Sequence, residues 1–111
     1  MKILITDDCP LTRNMYKIML ANHEVIDCLN IETLHKESVD ADLIIADYET
    51  YVSFDDVLKM NKPTVLASGS HNCHKYFLLK PFNAEQFLTI IEKCLREFGV
   101  NFHANVKGEV K

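Results

Sequence analysis

Lys2–Asp8 reads KILITDD: the apolar run Ile3-Leu4-Ile5 leads through Thr6 into two adjacent carboxylates, Asp7 and Asp8. A continuous apolar run suits a strand covered on both faces, as in a parallel sheet, better than a strand with one wet face. Two like charges side by side repel unless something positive sits near them. Four further apolar runs follow, at Glu24–Leu29, Asp42–Ala46, Thr64–Ser68 and Tyr76–Leu79. Two of these, LIIA and FLL, are again nearly continuous.

Helical patterns lie between most of the runs. Leu11, Met15, Ile18 and Met19 recur at i, i+4, i+7 and i+8, which predicts one shared face, and Pro10 suits the first turn. Asn22 is positioned to close that helix. The segment around Ile31–Ser38 is a weaker helix. Ser53 followed by Asp56 starts a third, through about Met60. Phe87, Ile91, Cys94, Leu95 and Phe98 form a longer stripe, with Asn83 as N-cap, Gln86 as its capping-box partner and Gly99 at the end. Strand and helix alternate, which predicts a βαβ fold around a parallel sheet.

One connection is short. Only residues 69 to 75 separate the fourth run from the fifth. Parallel crossovers usually take roughly a dozen residues or more, with a helix. Extended chain at about 3.3 Å per residue can span the return, but only as coil. The spacing therefore predicts no helix there, and apolar sheet surface near Phe77 and Leu78 left for a homodimer or another partner to cover.

The chain has 111 residues, 48% of them apolar, with a net charge of -4. That suits one domain with one core, with a body at 1–99 and a tail or linker start at 100–111. Acids and bases are interspersed without a basic stripe, so nucleic-acid binding is not expected. No run approaches the ~20 apolar residues of a membrane span. The opening run is too short, and too acidic behind it, for a signal peptide. The four cysteines, Cys9, Cys28, Cys73 and Cys94, show no C-x-x-C spacing. Free thiols in the cytoplasm are the expectation.

In open α/β sheets, sites form beyond the carboxyl ends of the strands. Those ends carry Asp7 and Asp8, then Asp47, Ser68 and Lys80. Three carboxylates in one crevice call for a hard divalent cation such as Mg²⁺, and Lys80 adds a second positive charge. A carboxylate so placed can attack a phosphoryl group, with Ser68 bonding a phosphate oxygen and Lys80 neutralising charge.

KILITDD, DLIIAD, PTVLASG and LLKPF, in that order over about residues 1–98, resemble the receiver domain of bacterial two-component response regulators. The resemblance implies a flavodoxin-like (CheY-like) sheet of order 2-1-3-4-5. It implies phosphorylation of Asp47 by a sensor histidine kinase or phosphotransfer protein in a phosphorelay. Asp8 matches the direct Mg²⁺ ligand, Asp7 the water-mediated one, and Glu49 the position whose carbonyl binds the ion. Ser68 and Phe77 match the switch positions, Lys80 the phosphate-binding lysine, and Lys80-Pro81 should be cis. Such a domain is a phosphoacceptor switch for a downstream protein partner, not a metabolic enzyme. The sequence departs from the family in DYETYVSFDD, which lacks the usual Pro and Gly after the acceptor, and in the missing fourth helix.

Simpler readings exist for single residues. Asp7 and Asp8 could cap a helix, and Phe77 could be core. The cluster His71, Cys73 and His74 lacks zinc-like spacing. The whole chain could be an unphosphorylated interaction module of the same fold. A metal-dependent phosphatase would also use paired Asp and Lys, yet 111 residues leave little material for a substrate pocket.

Overall fold

The computed structural model describes residues 1–48, 51–70, 73–100 and 102. Five strands, β1 (Lys2–Thr6), β2 (Glu24–Asp27), β3 (Leu43–Ala46), β4 (Thr64–Ser68) and β5 (Phe77–Leu79), form one parallel sheet of order β2-β1-β3-β4-β5. The helices are α1 (Pro10–Met19), α2 (Ile31–Ser38), α3 (Phe54–Leu58) and α4 (Ala84–Glu97). The flavodoxin-like order expected from the sequence is the order observed.

The strand alternation divides the core in two. Ile3, Ile5, Leu43, Ile45, Val65, Ala67 and Leu78 face α1 and α4 and pack on Tyr16, Phe87, Ile91 and Leu95. Leu4, Ile44, Ala46 and Leu66 face α2 and α3 and pack on Leu34, Phe54 and Val57. Both faces are covered, which is why the strands read as continuous apolar runs.

The helix ends follow their chemistry. The Asn83 side chain accepts from the Gln86 N–H, and the Gln86 side chain accepts from the Asn83 N–H, completing a capping box. The Ser53 hydroxyl accepts from the Asp56 N–H. Gly99, at φ +79°, takes the left-handed turn that stops α4. Beyond it Val100 and Phe102 return to the core, and the Phe102 ring stacks on His23 at 5.5 Å.

Three expectations about the helices are corrected. Leu11 (80% exposed) and Ile18 (76% exposed) do not share the buried face of α1, which is Met15, Tyr16, Met19 and Leu20 instead. The register is turned because the Tyr16 ring packs against both Phe82 and Phe87, which also contact each other, in a three-ring cluster. Helix α1 stops at Met19, and the Leu20 N–H bonds the Tyr16 carbonyl, so Asn22 lies past the cap. Phe98, expected in the α4 stripe, is half exposed as the cap residue.

No helix lies between β4 and β5 among the described residues. The coil carries aromatic cover instead. His74 Nε2–H donates to the Thr64 carbonyl at 2.9 Å, and its ring meets Phe54 edge-on at 5.0 Å. The Tyr76 hydroxyl donates to Glu97 on α4 at 2.5 Å. Leu78 is thereby buried and Phe77 packs on the α3-side core. Apolar surface does remain near Phe77 and Leu78, as an open groove lined by Phe77, Leu78, Leu79 and Ile90, with Leu79 its most exposed strand residue. No helix of the described residues is long and apolar enough to cross a membrane.

Candidate functional site

The parallel register delivers one polar residue from each of several strand ends to the same rim. The Asp47 N–H bonds the Thr6 carbonyl at 2.9 Å, which sets Asp47 beside the end of β1. The Lys80 N–H bonds the Ser68 carbonyl at 2.8 Å, which sets Lys80 beside the end of β4. Carboxylate oxygens of Asp7, Asp8 and Asp47 all lie within 4.8 Å of one another. Lys80 Nζ donates to Asp7 Oδ2 at 2.8 Å and to Asp47 Oδ2 at 3.1 Å. The sequence put these four side chains in one crevice, and the structure does so.

Their environments differ. Asp7 is buried, Asp47 half-buried and Asp8 exposed. A buried carboxylate needs partners. Asp7 Oδ1 accepts from the Cys9 N–H at 2.9 Å, and its other oxygen takes Lys80. Asp47 Oδ1 accepts from the Tyr48 N–H at 2.7 Å. Burial pulls the Lys80 ammonium toward neutrality, but hydrogen bonds and charge from Asp7 and Asp47 outweigh it, and its pKa is raised above the ordinary 10.5. Nearby, the Thr12 side chain and N–H stabilise the Cys9 thiolate. They lower its pKa below the ordinary 9.0 despite the opposing charge of Asp7. Burial is the main cause of a strongly raised Tyr16 pKa, with Asp7 and Asp47 adding to it.

Ser68 is buried at the end of β4, and its hydroxyl accepts from the Ser70 N–H at 3.2 Å. The space that a side chain at Gly69 would enter is open. Phe77 sits on β5, half-buried against the α3-side core. Glu49 and His71 lie outside the described residues. Lys80-Pro81 is cis.

Sequence reasoning passed over Arg13. Its guanidinium donates to the Asp7 carbonyl at 2.8 Å and approaches Asp27 at 3.5 Å, tying the acidic strand end to α1 and β2. The signal was available: Arg13 falls one turn inside a helix that begins directly after the acid pair.

Three oxygen-only carboxylates fit a hard cation such as Mg²⁺. Asp8 faces solvent, and the Asp7 and Asp47 oxygens each retain acceptor capacity beyond their present bonds.

The chain matches no family model and no curated protein. Solved structures do match. CheY4 of Vibrio cholerae is similar at 24% identity and TM-score 0.69, over 85% of this chain and 98% of that one. The N-terminal domain of a response regulator/sensory box/GGDEF protein from Carboxydothermus hydrogenoformans matches at 20% and 0.73, over 89% and 97%. The BeF3-activated receiver domain of Klebsiella pneumoniae RstA matches at 16% and 0.70, over 86% and 99%. The chain has the receiver-domain fold. The receiver-fold rim is where Asp7, Asp8, Asp47 and Lys80 converge.

Proposed function

We propose that this receiver-fold chain is a phosphorylation-dependent switch of a two-component phosphorelay. It takes a phosphoryl group on Asp47 from a phosphohistidine of a sensor histidine kinase or phosphotransfer protein. The observation that carries this reading is the triple carboxylate cluster bridged by Lys80. The ammonium, in contact with both the buried and the half-buried acid, holds Asp47 in place.

In the transfer, an Asp47 oxygen attacks phosphorus, the phosphorus–nitrogen bond breaks, and its electron pair stays on the donor imidazole. Asp7 and Asp8, with Asp47 and the Glu49 carbonyl, would hold Mg²⁺. When bound, the ion shields the charge on the transferring oxygens. Lys80 keeps an ammonium within reach of that charge. Ser68, moving toward the new phosphate, gives up its bond to the Ser70 N–H, and Phe77 repacks on β5. The domain acts as a cytoplasmic switch for a downstream protein partner or a second copy of itself, and not as a turnover enzyme.

The coil that replaces a helix between β4 and β5 favours a second reading, a binding module of the same fold that is never phosphorylated. Incubation with acetyl phosphate and Mg²⁺, followed by intact-protein mass spectrometry, separates the two. The switch reading expects one added phosphoryl group, lost in Asp47→Asn and in excess EDTA. An unmodified wild-type protein that also refuses beryllofluoride sinks it.

A further inference from the structure

Tyr16 is fully buried, and among the described residues its hydroxyl has no hydrogen-bond partner. A buried hydroxyl left unbonded costs more than a made hydrogen bond contributes. The ring packs on Phe82 and Phe87, contacts that a phenylalanine would make equally well. The phenol oxygen therefore adds nothing to this state of the protein.

Its position shows what it faces. Helix α1 starts two residues after the acid pair, and long helical side chains lean toward the N-terminus of their helix. The phenol thus points back along α1 toward Cys9 and Asp7. Of the charges that act on it, Asp7 acts most strongly, ahead of Asp47 and Cys9. Asp7 in turn depends on Lys80. One of its oxygens accepts from the Cys9 N–H and the other from Lys80 Nζ at 2.8 Å. Lys80 also holds Asp47, at 3.1 Å. An ammonium drawn fully to a phosphoryl group on Asp47 leaves Asp7 buried and one donor short.

We propose that the Tyr16 hydroxyl is the reserve donor to Asp7, bonding its carboxylate when Lys80 turns to a phosphoryl group on Asp47. This rests on Asp47 being the phosphoryl acceptor. Tyr16 is then a positioning residue. It touches neither metal nor phosphate, and it keeps Asp7 aimed at the crevice while the lysine is engaged elsewhere. The bond exists only in the second state, so it favours that state over the first.

Removing the lysine mimics its departure, and a double-mutant cycle reads the result. In the wild-type background Tyr16→Phe deletes an unbonded hydroxyl, and the urea midpoint stays or rises. In Lys80→Met the hydroxyl is bonded to Asp7, and adding Tyr16→Phe lowers the folding equilibrium constant about tenfold further. A second readout avoids the weakened background. With Mg²⁺ and beryllofluoride, the resonance of the hydroxyl-bearing ring carbon of Tyr16 shifts in the wild-type protein, and Tyr16→Phe binds beryllofluoride about tenfold more weakly. Equal effects of Tyr16→Phe in both backgrounds, or an unmoved Tyr16 resonance in a protein that binds beryllofluoride, overturn the reserve bond and leave the acceptor role of Asp47 standing. A wild-type protein that refuses beryllofluoride removes both.

Discussion

Lys80 Nζ lies 2.8 Å from Asp7 Oδ2 across 73 residues of sequence, joining the first strand end to the last. The contact does two jobs. It neutralises a carboxylate that is 1% exposed, and it fixes the ammonium where it also reaches Asp47. Breaking a buried pair from one side strands the other charge.

Lys80→Met is therefore expected to destabilise the metal-free protein by about 2–4 kcal/mol, because Asp7 stays buried without its cation. Mg²⁺ should recover part of that loss, since a ligand at ten times its dissociation constant stabilises by about 1.4 kcal/mol. Urea titrations with EDTA and with Mg²⁺ measure both. An unchanged midpoint for Lys80→Met in EDTA would show that the Asp7 carboxyl does not depend on this lysine.

Helix α1 provides a sharper test of the packing. Leu11 and Ile18 look like core residues by spacing and are exposed, whereas Tyr16 is fully buried against Phe82 and Phe87. Leu11→Ser and Ile18→Ser should change stability by no more than about 0.5 kcal/mol. Tyr16→Ala should cost about 3–5 kcal/mol through the cavity it leaves. Equal losses from Ile18→Ser and Tyr16→Ala in thermal or urea unfolding would contradict the observed face.

That helix also shows where the sequence stops being legible. The strands, their parallel arrangement and the meeting of Asp7, Asp8, Asp47 and Lys80 follow from apolar runs and strand ends, which are local signals. The face of α1 does not. Leu11 and Ile18 satisfy the same periodicity as Met15 and Met19, and only the aromatic stack with Phe82 and Phe87 selects which stripe is buried. The same holds at the β4–β5 connection. Its length excluded a helix, but nothing local announced that His74 and Tyr76 would bond the Thr64 carbonyl and Glu97 and cover the edge. A cavity of about 360 Å³ beside Lys80 was likewise invisible, because Thr12, Met15 and Phe82 become neighbours only when α1 and the turn into α4 dock.

The buried thiols contribute to the loss of stability in alkali. Cys28 and Cys94 are both fully buried, and desolvation pushes each from 9.0 up to about 11. A folded-state pKa above the unfolded one means the neutral thiol is favoured by folding. The stability this represents is complete below pH 9.0 and is lost as pH rises from 9.0 toward about 11. The lysine works in the same direction at higher pH: Lys80 is raised above 10.5, so its share fades only as pH climbs through that raised value. Urea midpoints should fall between pH 9.0 and 11, by on the order of 1–3 kcal/mol for the two thiols together. In Cys28→Ala/Cys94→Ala the decline should flatten over that window even though the protein starts less stable. Iodoacetamide at neutral pH gives an independent reading, modifying Cys9 and the exposed Cys73 in the native protein and sparing Cys28 and Cys94 until it unfolds. Rapid native-state alkylation of Cys94 would mean that α4 opens from the sheet far more readily than its packing implies.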